Sequence, residues 1–80
     1  MYYTYILKSS GDNSFYYSLT KNLLLRLKEH NASKVKYTKG HCSWIIHYYE
    51  EFDSRIDAVK RELFFKSIDG YKWLKEMGIT

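Results

Sequence analysis

The sequence is poor in residues that bend or cross-link a chain: it has no proline, four glycines and one cysteine in 80 residues. Cys42 cannot form an internal disulfide, and its spacing from His41 and His47 matches no zinc site, which excludes disulfide-stapled secreted scaffolds and zinc ribbons. No hydrophobic run approaches the roughly 18 residues that span a bilayer, and the chain begins with neither a charged leader nor a small-residue cleavage site. We therefore expect a cytoplasmic protein that does not enter a membrane.

Hydrophobic residue types nevertheless make up 45% of the chain, and aromatic residues make up 19%. This content lies well above that of disordered chains, which lack enough apolar surface to bury on folding. The length allows one domain over residues 1–80 and no second hydrophobic core.

The formal net charge of +4 is unevenly distributed along the chain. Up to Tyr49 seven basic residues face two acidic ones, whereas from Glu50 onward six basic residues face seven acidic ones. Lysines interleaved with tyrosines suit a nucleic-acid backbone, because cations displace counterions from phosphates and aromatic rings stack on bases. An ordinary solvated surface explains the same charges equally well.

Two segments near the start of the chain predict a β-hairpin. Residues Tyr2–Lys8 are rich in aromatic and branched side chains and end at a turn-forming cluster, after which Ser14–Leu19 is typical of a second strand. Side chains alternate between the two faces of a strand, so Tyr5 lies on one face of the first strand and Tyr16 on one face of the second. The two tyrosines can then meet across the hairpin.

The segment Thr20–Asn31 predicts a helix, with Thr20 or Asn22 as its N-cap. Leu23 and Leu27 form its buried stripe, and Arg26 and His30 lie one turn apart on the border of that stripe. Both polar side chains can therefore reach over the sheet.

A basic loop, residues 32–41, separates this helix from a third predicted strand over Trp44–Glu50. Alternation would place Trp44, Ile46 and Tyr48 on one face and Ile45, His47 and Tyr49 on the other. We therefore expect a strand that is covered on both faces.

Ser54 with Asp57 resembles a capping arrangement and opens a helix that we expect to extend to about Ile68. On this helix Glu62 has an unusually apolar surround for a glutamate. The residues expected to face the core are Ile56, Val59, Leu63 and Phe64.

Asp69 and Gly70 predict a break before a last short helix over Tyr71–Met77. The predicted order is therefore β-β-α-β-α-α, an α+β arrangement of a sheet layer and helices.

Phosphodiester hydrolysis needs an activated water, positive charge near the phosphoryl oxygens and help for the leaving oxygen. A metal held by Glu62, the Arg26 guanidinium and a tyrosine phenol could supply these three functions. A phenol, with an ordinary pKa of about 10, becomes a useful base only beside cations. Each signal alone also has a structural explanation: tyrosine pairs pack in hairpins, and Glu62 is spaced for a helical ion pair with Lys66.

The order of these residues resembles the GIY-YIG nuclease superfamily. In that pattern a strand ending in a tyrosine precedes a strand with Tyr-x-Gly, a helix with an arginine and a histidine one turn on, and a later helix with a glutamate. The matching segments are Tyr3-Thr4-Tyr5, Tyr16-Tyr17-Ser18, Arg26 to His30 and Ala58-Val59-Lys60-Arg61-Glu62. The resemblance runs from Tyr2 to about Lys75 and is closest to a small stand-alone bacterial branch, which also carries a loop like Lys36-Tyr37-Thr38-Lys39.

This resemblance implies a small three-stranded antiparallel sheet flanked by helices and a metal-dependent DNA endonuclease, with DNA repair as one expected setting. Tyr5 and Tyr16 would position and deprotonate the attacking water, and either could be the base. Arg26 would clamp the scissile phosphate, His30 would donate to it or assist proton transfer, and Glu62 would hold one Mg²⁺ or Mn²⁺ ion. The basic residues expected to contact DNA are Lys21, Lys28, Lys34, Lys36, Lys39 and Lys66.

Two departures from the pattern keep alternatives open. Ser18 replaces the glycine of the second motif, and Leu19 occupies a position where some relatives carry a lysine. A catalytically impaired nucleic-acid-binding module is therefore one alternative to an active nuclease. Leu24 and Leu25 point away from the buried stripe of the first helix, which suggests a homodimer or protein-partner contact as another.

Overall fold

Three antiparallel strands and three helices follow one another in the predicted order, which confirms the α+β fold class. The computed structural model describes residues 1–32, 34–35, 38, 40 and 43–80. Among these described residues, no helix is both long and apolar enough to cross a membrane. The elements are β1 (Tyr2–Ser9), β2 (Phe15–Thr20), α1 (Leu23–Asn31), β3 (Trp44–Phe52), α2 (Arg55–Phe65) and α3 (Ile68–Glu76).

The central strand of the sheet is β1, because the strand order is β2-β1-β3. In the β1–β2 register Tyr5 lies opposite Ser18, and Leu7 lies opposite Tyr16. Residues directly opposite one another share a face of the sheet, so these four side chains lie on the same side. Tyr5 and Tyr16 therefore share a face of the sheet, and Tyr16 packs against the buried cluster that contains Tyr5 and Leu7, although the residue directly opposite Tyr5 is Ser18.

A β-bulge interrupts β3. Ile6 pairs with Tyr48 and Leu7 pairs with Ile46, so the register shifts and His47 is the extra residue. Ile46 consequently packs on the Tyr5 face, whereas Tyr48 packs with Ile6 on the other face. The strict alternation predicted for this strand is wrong, because the bulge reverses the direction of the side chains that follow it.

The expectation that β3 is covered on both faces is also wrong. This strand lies at an edge of the sheet, and Ile45 and Tyr49 are 51% and 47% exposed. The doubly covered strand is instead β1, whose consecutive residues Thr4, Tyr5, Ile6 and Leu7 are all fully buried.

Helices cover the two faces of the sheet separately. On the Tyr5 face, Leu23 and Leu27 of α1 pack against the buried cluster, as predicted. On the opposite face, Phe65 of α2 and Leu74 of α3 form a second cluster around Ile6. Burial of these large apolar side chains, each contributing about 1.5–3 kcal/mol, is what holds the helices to the sheet.

The buried face of α2 differs from the predicted one. Ala58 and Phe65 are buried, whereas Ile56 and Leu63 are 68% and 62% exposed. The small Ala58 lets the helix approach closely enough for the Thr4 hydroxyl to donate a 2.7 Å hydrogen bond to the Ala58 carbonyl. Of the four residues predicted to face the core, Val59 is half-buried and Phe64 packs against the Ile6 cluster, so the prediction is wrong for Ile56 and Leu63.

The break predicted at Gly70 is wrong as well, because Gly70 lies in the first turn of α3. Ser67 is the N-cap, and its hydroxyl accepts a hydrogen bond from the Gly70 amide at 3.1 Å. A Cβ on Gly70 would lie 1.7 Å from the Phe64 carbonyl oxygen. The glycine is therefore needed for close packing of α3 against the end of α2.

Candidate active site

A buried tyrosine–histidine pair joins the central strand to α1. The Tyr5 hydroxyl lies 3.0 Å from Nε2 of His30, and both residues are fully buried. The pair forms because the Leu23–Leu27 stripe seats α1 on this face of the sheet, which brings the last turn of the helix over Tyr5.

The other ring nitrogen of His30 contacts a threonine from the loop that follows α1. His30 Nδ1 lies 2.7 Å from the hydroxyl oxygen of Thr38, and Thr38 is also fully buried. The Trp44 indole N–H donates a 3.1 Å hydrogen bond to the Thr38 carbonyl. Sequence reasoning did not single out Thr38 as a site residue, because no local spacing relates it to His30.

Tyr16 completes the aromatic environment of the histidine. Its ring centroid lies 4.9 Å from that of His30 and 6.4 Å from that of Trp44, both in edge-to-face arrangements. Tyr16 is half-buried, in contrast to the fully buried Tyr5. It is therefore the tyrosine of the pair that solvent can reach.

Arg26 lies on α1 one turn before His30. Its guanidinium forms an ion pair with Glu29, with NH1 3.3 Å from Oε1. Burial disfavours the charged form, but hydrogen bonding to Tyr5 and attraction to Glu29 outweigh it and raise the pKa of Arg26. Glu29 was not among the predicted site residues, although its position three residues after Arg26 was a usable signal for a helical ion pair.

Burial determines the protonation of the two central groups. It lowers the pKa of His30 from 6.5 to about 4, and the nearby Arg26 charge acts in the same direction. Burial also raises the pKa of the Tyr5 phenol, although hydrogen bonds from Arg26 and Ser18 act against this shift. Near neutral pH the site therefore contains a neutral imidazole and a protonated phenol beside a positive guanidinium.

The two departures from the expected motif lie on opposite faces of the sheet. Ser18 shares the Tyr5 face and lies directly opposite Tyr5, where its hydroxyl acts to lower the pKa of the Tyr5 phenol. Leu19 pairs with Thr4, whose hydroxyl binds α2, so Leu19 lies on the other face. Ser18 thus adds a polar contact to the cluster, and Leu19 stays away from it.

Glu62 lies on α2, which packs against the face opposite Tyr5. As its spacing predicted, the carboxylate accepts a 3.0 Å hydrogen bond from the Lys66 ammonium, and its side chain is 17% exposed. Among the described residues, the Glu62 carboxylate contacts this lysine rather than a member of the tyrosine–histidine cluster.

A bidentate ion pair fixes the helix that carries Glu62. Arg61 Nε donates to Glu50 Oε1 at 2.7 Å, and NH2 donates to Oε2 at 3.1 Å. The guanidinium also stacks on three aromatic rings, with centroid distances of 4.5 to 5.0 Å. This contact ties α2 to β3 and thereby restricts where Glu62 can lie.

The donor set at Glu62 fits a magnesium ion that keeps most of its waters. In the described part of the chain no group of three or more His, Cys, Asp or Glu side chains could hold a metal together. Mg²⁺ is commonly held by one or two carboxylates together with substrate phosphate and water, so a single partly exposed carboxylate is compatible with it. Lys66 would have to give up its contact with Glu62.

The other predicted DNA contacts are only partly described. Lys21, Lys28 and Lys34 are exposed, and Lys21 stands 5.3 Å from the centroid of the Tyr2 ring. Lys36 and Lys39 lie outside the described residues, as do His41 and Cys42 of the rejected zinc site. His47 donates a hydrogen bond to the Ile79 carbonyl.

Leu24 and Leu25 project from the outer side of α1, as predicted, and are 69% and 54% exposed. Leu24 also borders an open groove of about 510 Å³ between the start of α1 and β3. Other residues that line this groove are Tyr3, Lys21, Ile46, Tyr49 and Glu51.

The geometry agrees with a family assignment from sequence. The family model of the GIY-YIG catalytic domain matches residues 1–71. The chain belongs to the GIY-YIG family. As a GIY-YIG catalytic domain it is of the nuclease type, and its substrate class is nucleic acid.

Relatives of this GIY-YIG domain are UPF0213 proteins. One from Staphylococcus haemolyticus is 39% identical over 75 residues, covering 92% of this chain and 90% of that protein. Another from Listeria monocytogenes is 40% identical over 68 residues, covering 84% of this chain and 74% of that protein. The solution NMR structure of a UPF0213 protein from Bacillus halodurans has a TM-score of 0.55 and 30% identity, and the match covers 96% of this chain and 85% of that one.

Proposed function

We propose that this GIY-YIG domain is a metal-dependent DNA endonuclease. The observation that carries the proposal is one contiguous cluster: Tyr5 is hydrogen bonded to His30, Arg26 lies close enough to the Tyr5 phenol for each to shift the pKa of the other, and Tyr16 packs on the imidazole. A cation, a phenol and a solvent-accessible second phenol on one face of the sheet supply charge for a phosphate and groups that orient a water. The exposed lysines suit phosphates rather than base edges, so we expect cleavage with little sequence preference. An accessory role in DNA repair is part of the proposal.

Arg26 is the residue suited to bind the scissile phosphate. Glu29 and the Tyr5 phenol hold its guanidinium in place, so part of its conformational freedom is already lost before substrate binds. A preorganised guanidinium can stabilise negative charge that develops on the phosphoryl oxygens during attack by water.

Tyr16 is the better candidate for the tyrosine that contacts the attacking water. Tyr5 is fully buried and its phenol stays protonated at neutral pH, so it donates a hydrogen bond rather than acting as a base. Tyr16 lies beside the same histidine and is only half-buried. We assign to Tyr16 the positioning and deprotonation of water, and to Tyr5 and His30 the support of Arg26.

Glu62 would hold the divalent ion, Mg²⁺ or Mn²⁺. When bound, such an ion would supply positive charge to a nucleic-acid phosphate. The contribution of the chain itself is a carboxylate on a helix that Arg61 and Glu50 anchor to the sheet.

Nicking of supercoiled plasmid, with Mg²⁺ or with EDTA, tests this function. We expect nicking only with Mg²⁺, and a loss of about 10²-fold or more in both Arg26→Ala and Glu62→Gln, because each removes charge stabilisation of the transition state. Matched controls are Arg55→Ala and Glu76→Gln, which alter exposed residues outside the cluster and should nick like the wild type. Full activity of Arg26→Ala and Glu62→Gln would refute the assigned roles.

A second candidate function is a protein contact, and the exposure of Leu24 and Leu25 favours it. Two adjacent leucines on the outer side of α1 could mediate self-association or bind a partner while leaving Arg26 and His30 on the inner side. A chain that binds DNA without nicking it under any divalent ion would favour the impaired nucleic-acid-binding alternative instead.

A further inference from the structure

The amide, the hydroxyl and the carbonyl of Thr38 all form hydrogen bonds. Its amide and its hydroxyl both donate to the Val35 carbonyl, at 3.2 and 3.3 Å, and its own carbonyl accepts from the Trp44 indole. The Trp44 amide in turn donates to the Asn31 side chain at 2.6 Å. Hydrogen bonds through the fully buried Thr38 and through Asn31 therefore connect Val35 and the end of α1 to the start of β3.

The hydrogen-bonding capacity of the neighbours limits how His30 can be protonated. The Thr38 hydroxyl has one proton and donates it to the Val35 carbonyl at 3.3 Å, so its oxygen accepts at His30 Nδ1, which lies 2.7 Å away. In a neutral imidazole the proton therefore lies on Nδ1. Nε2 is then unprotonated and accepts from the Tyr5 hydroxyl at 3.0 Å.

We propose that Thr38 is a positioning residue that holds the His30 proton on Nδ1 and thereby keeps the Tyr5 phenol aligned toward Arg26. The hydroxyl accepts from Nδ1–H and donates to the Val35 carbonyl, so a chain of hydrogen bonds runs from Tyr5 through His30 and Thr38 to Val35, and Arg26 lies beside its Tyr5 end. The catalytic consequence rests on the proposed nuclease function, but the tautomer does not.

Nitrogen NMR of the His30 side chain in the whole protein tests the tautomer directly. We expect Nδ1 to behave as the protonated ring nitrogen and Nε2 as the unprotonated one near neutral pH. In Thr38→Val, which keeps the side-chain shape and removes the hydroxyl, the protonated Nδ1 population should fall. Thr38→Ser should restore it, because serine keeps the oxygen.

Plasmid nicking provides the second readout. Thr38→Val should lower kcat about tenfold to hundredfold with little change in KM, because a misaligned Arg26 affects the reacting geometry more than DNA binding. Thr38→Ser should recover most of that loss. Thr80→Val makes the same chemical change outside the chain of hydrogen bonds that contains Thr38, and this variant should nick DNA like the wild type.

A protonated Nε2 in the wild type would overturn the proposal even if Thr38→Val proved too unstable to study. A shifted tautomer with unchanged kcat would overturn the link to catalysis. A wild-type protein that does not nick DNA but shows protonated Nδ1, lost in Thr38→Val, would refute the nuclease proposal and leave the role of Thr38 supported.

Discussion

The low pKa of the His30 imidazole follows from its burial and from its charged neighbour. The imidazole is fully buried between the Tyr5 and Tyr16 rings, and it neighbours a guanidinium that repels positive charge. Both effects oppose protonation, so the folded state retains a neutral histidine at pH values where the unfolded chain already carries a positive one.

We predict that His30 makes the protein sensitive to mild acid. Between about pH 6.5 and pH 4 the unfolded chain binds a proton on His30 that the folded chain does not, so stability falls as the pH falls through this window. The loss should be on the order of 2 to 3 kcal/mol at about pH 4.5 relative to pH 7. Urea unfolding of the wild type and of His30→Gln at both pH values measures it. An equal pH dependence in the two proteins would contradict the prediction.

Sequence reasoning located most of the cluster because those residues obey local periodicity. Tyr5 and Tyr16 are placed by strand alternation, and Arg26 and His30 by their spacing on a helix. Thr38 was named only as part of the Lys36-Tyr37-Thr38-Lys39 segment of the family resemblance and not as a site residue, because no periodic pattern relates it to His30.

At the scale of elements, the junction between α2 and α3 shows why a glycine can be misread. Glycine is common both where a helix ends and where two backbones approach closely, and the sequence alone does not distinguish these uses. Gly70 belongs to the second group, since the Phe64 carbonyl occupies the space of a Cβ.

Gly70→Ala should therefore destabilise the protein. Helix propensity alone would predict a gain of up to about 1 kcal/mol, but the new methyl group would collide with the Phe64 backbone and force α3 away from α2. We expect a net loss of about 2 kcal/mol or more in the free energy of unfolding, measured by urea denaturation. The control is Lys72→Ala at an exposed position of the same helix, which should change stability by less than about 0.5 kcal/mol. A stabilised Gly70→Ala would show that α3 can shift freely.

Other element-level differences also have physical causes. The bulge at His47 is a non-local consequence of pairing with β1, so alternation within β3 could not reveal it. On α2 the fully buried positions are Ala58 and Phe65, and the carbonyl of the small Ala58 accepts the hydrogen bond from Thr4. A helical wheel counts apolar area and cannot weigh that closer approach.

At the scale of the whole molecule, the outer side of α1 combines charge with exposed apolar area. Lys28 lies between Leu24 and Leu25 around the helix axis, and all three are exposed. Lys21 stands just before the helix. Contact with DNA and contact with protein would therefore use the same surface. The salt dependence of binding distinguishes the two, because only phosphate contacts release counterions.

We predict that DNA binding is strongly salt-dependent and that Lys21→Ala combined with Lys28→Ala lowers the dependence of log affinity on log salt by about 2. Each lysine that neutralises a phosphate releases about one counterion, so two fewer contacts remove two units of slope. Fluorescence anisotropy of labelled duplex DNA at several salt concentrations measures this slope. As a matched control, Lys72→Ala with Lys75→Ala alters two exposed lysines of α3 on the opposite side of the sheet and should leave the slope unchanged.

Replacement of Leu24 and Leu25 tests whether the same surface of α1 serves protein contact rather than DNA contact. Leu24→Ser with Leu25→Ser changes no charge, so the salt slope and the affinity for DNA should stay near those of the wild type. If the outer side of α1 instead serves protein contact, the lysine variant binds DNA normally, and the leucine variant changes the concentration dependence of sedimentation. Salt-insensitive DNA binding together with that change would replace the phosphate-contact interpretation of this surface with self-association.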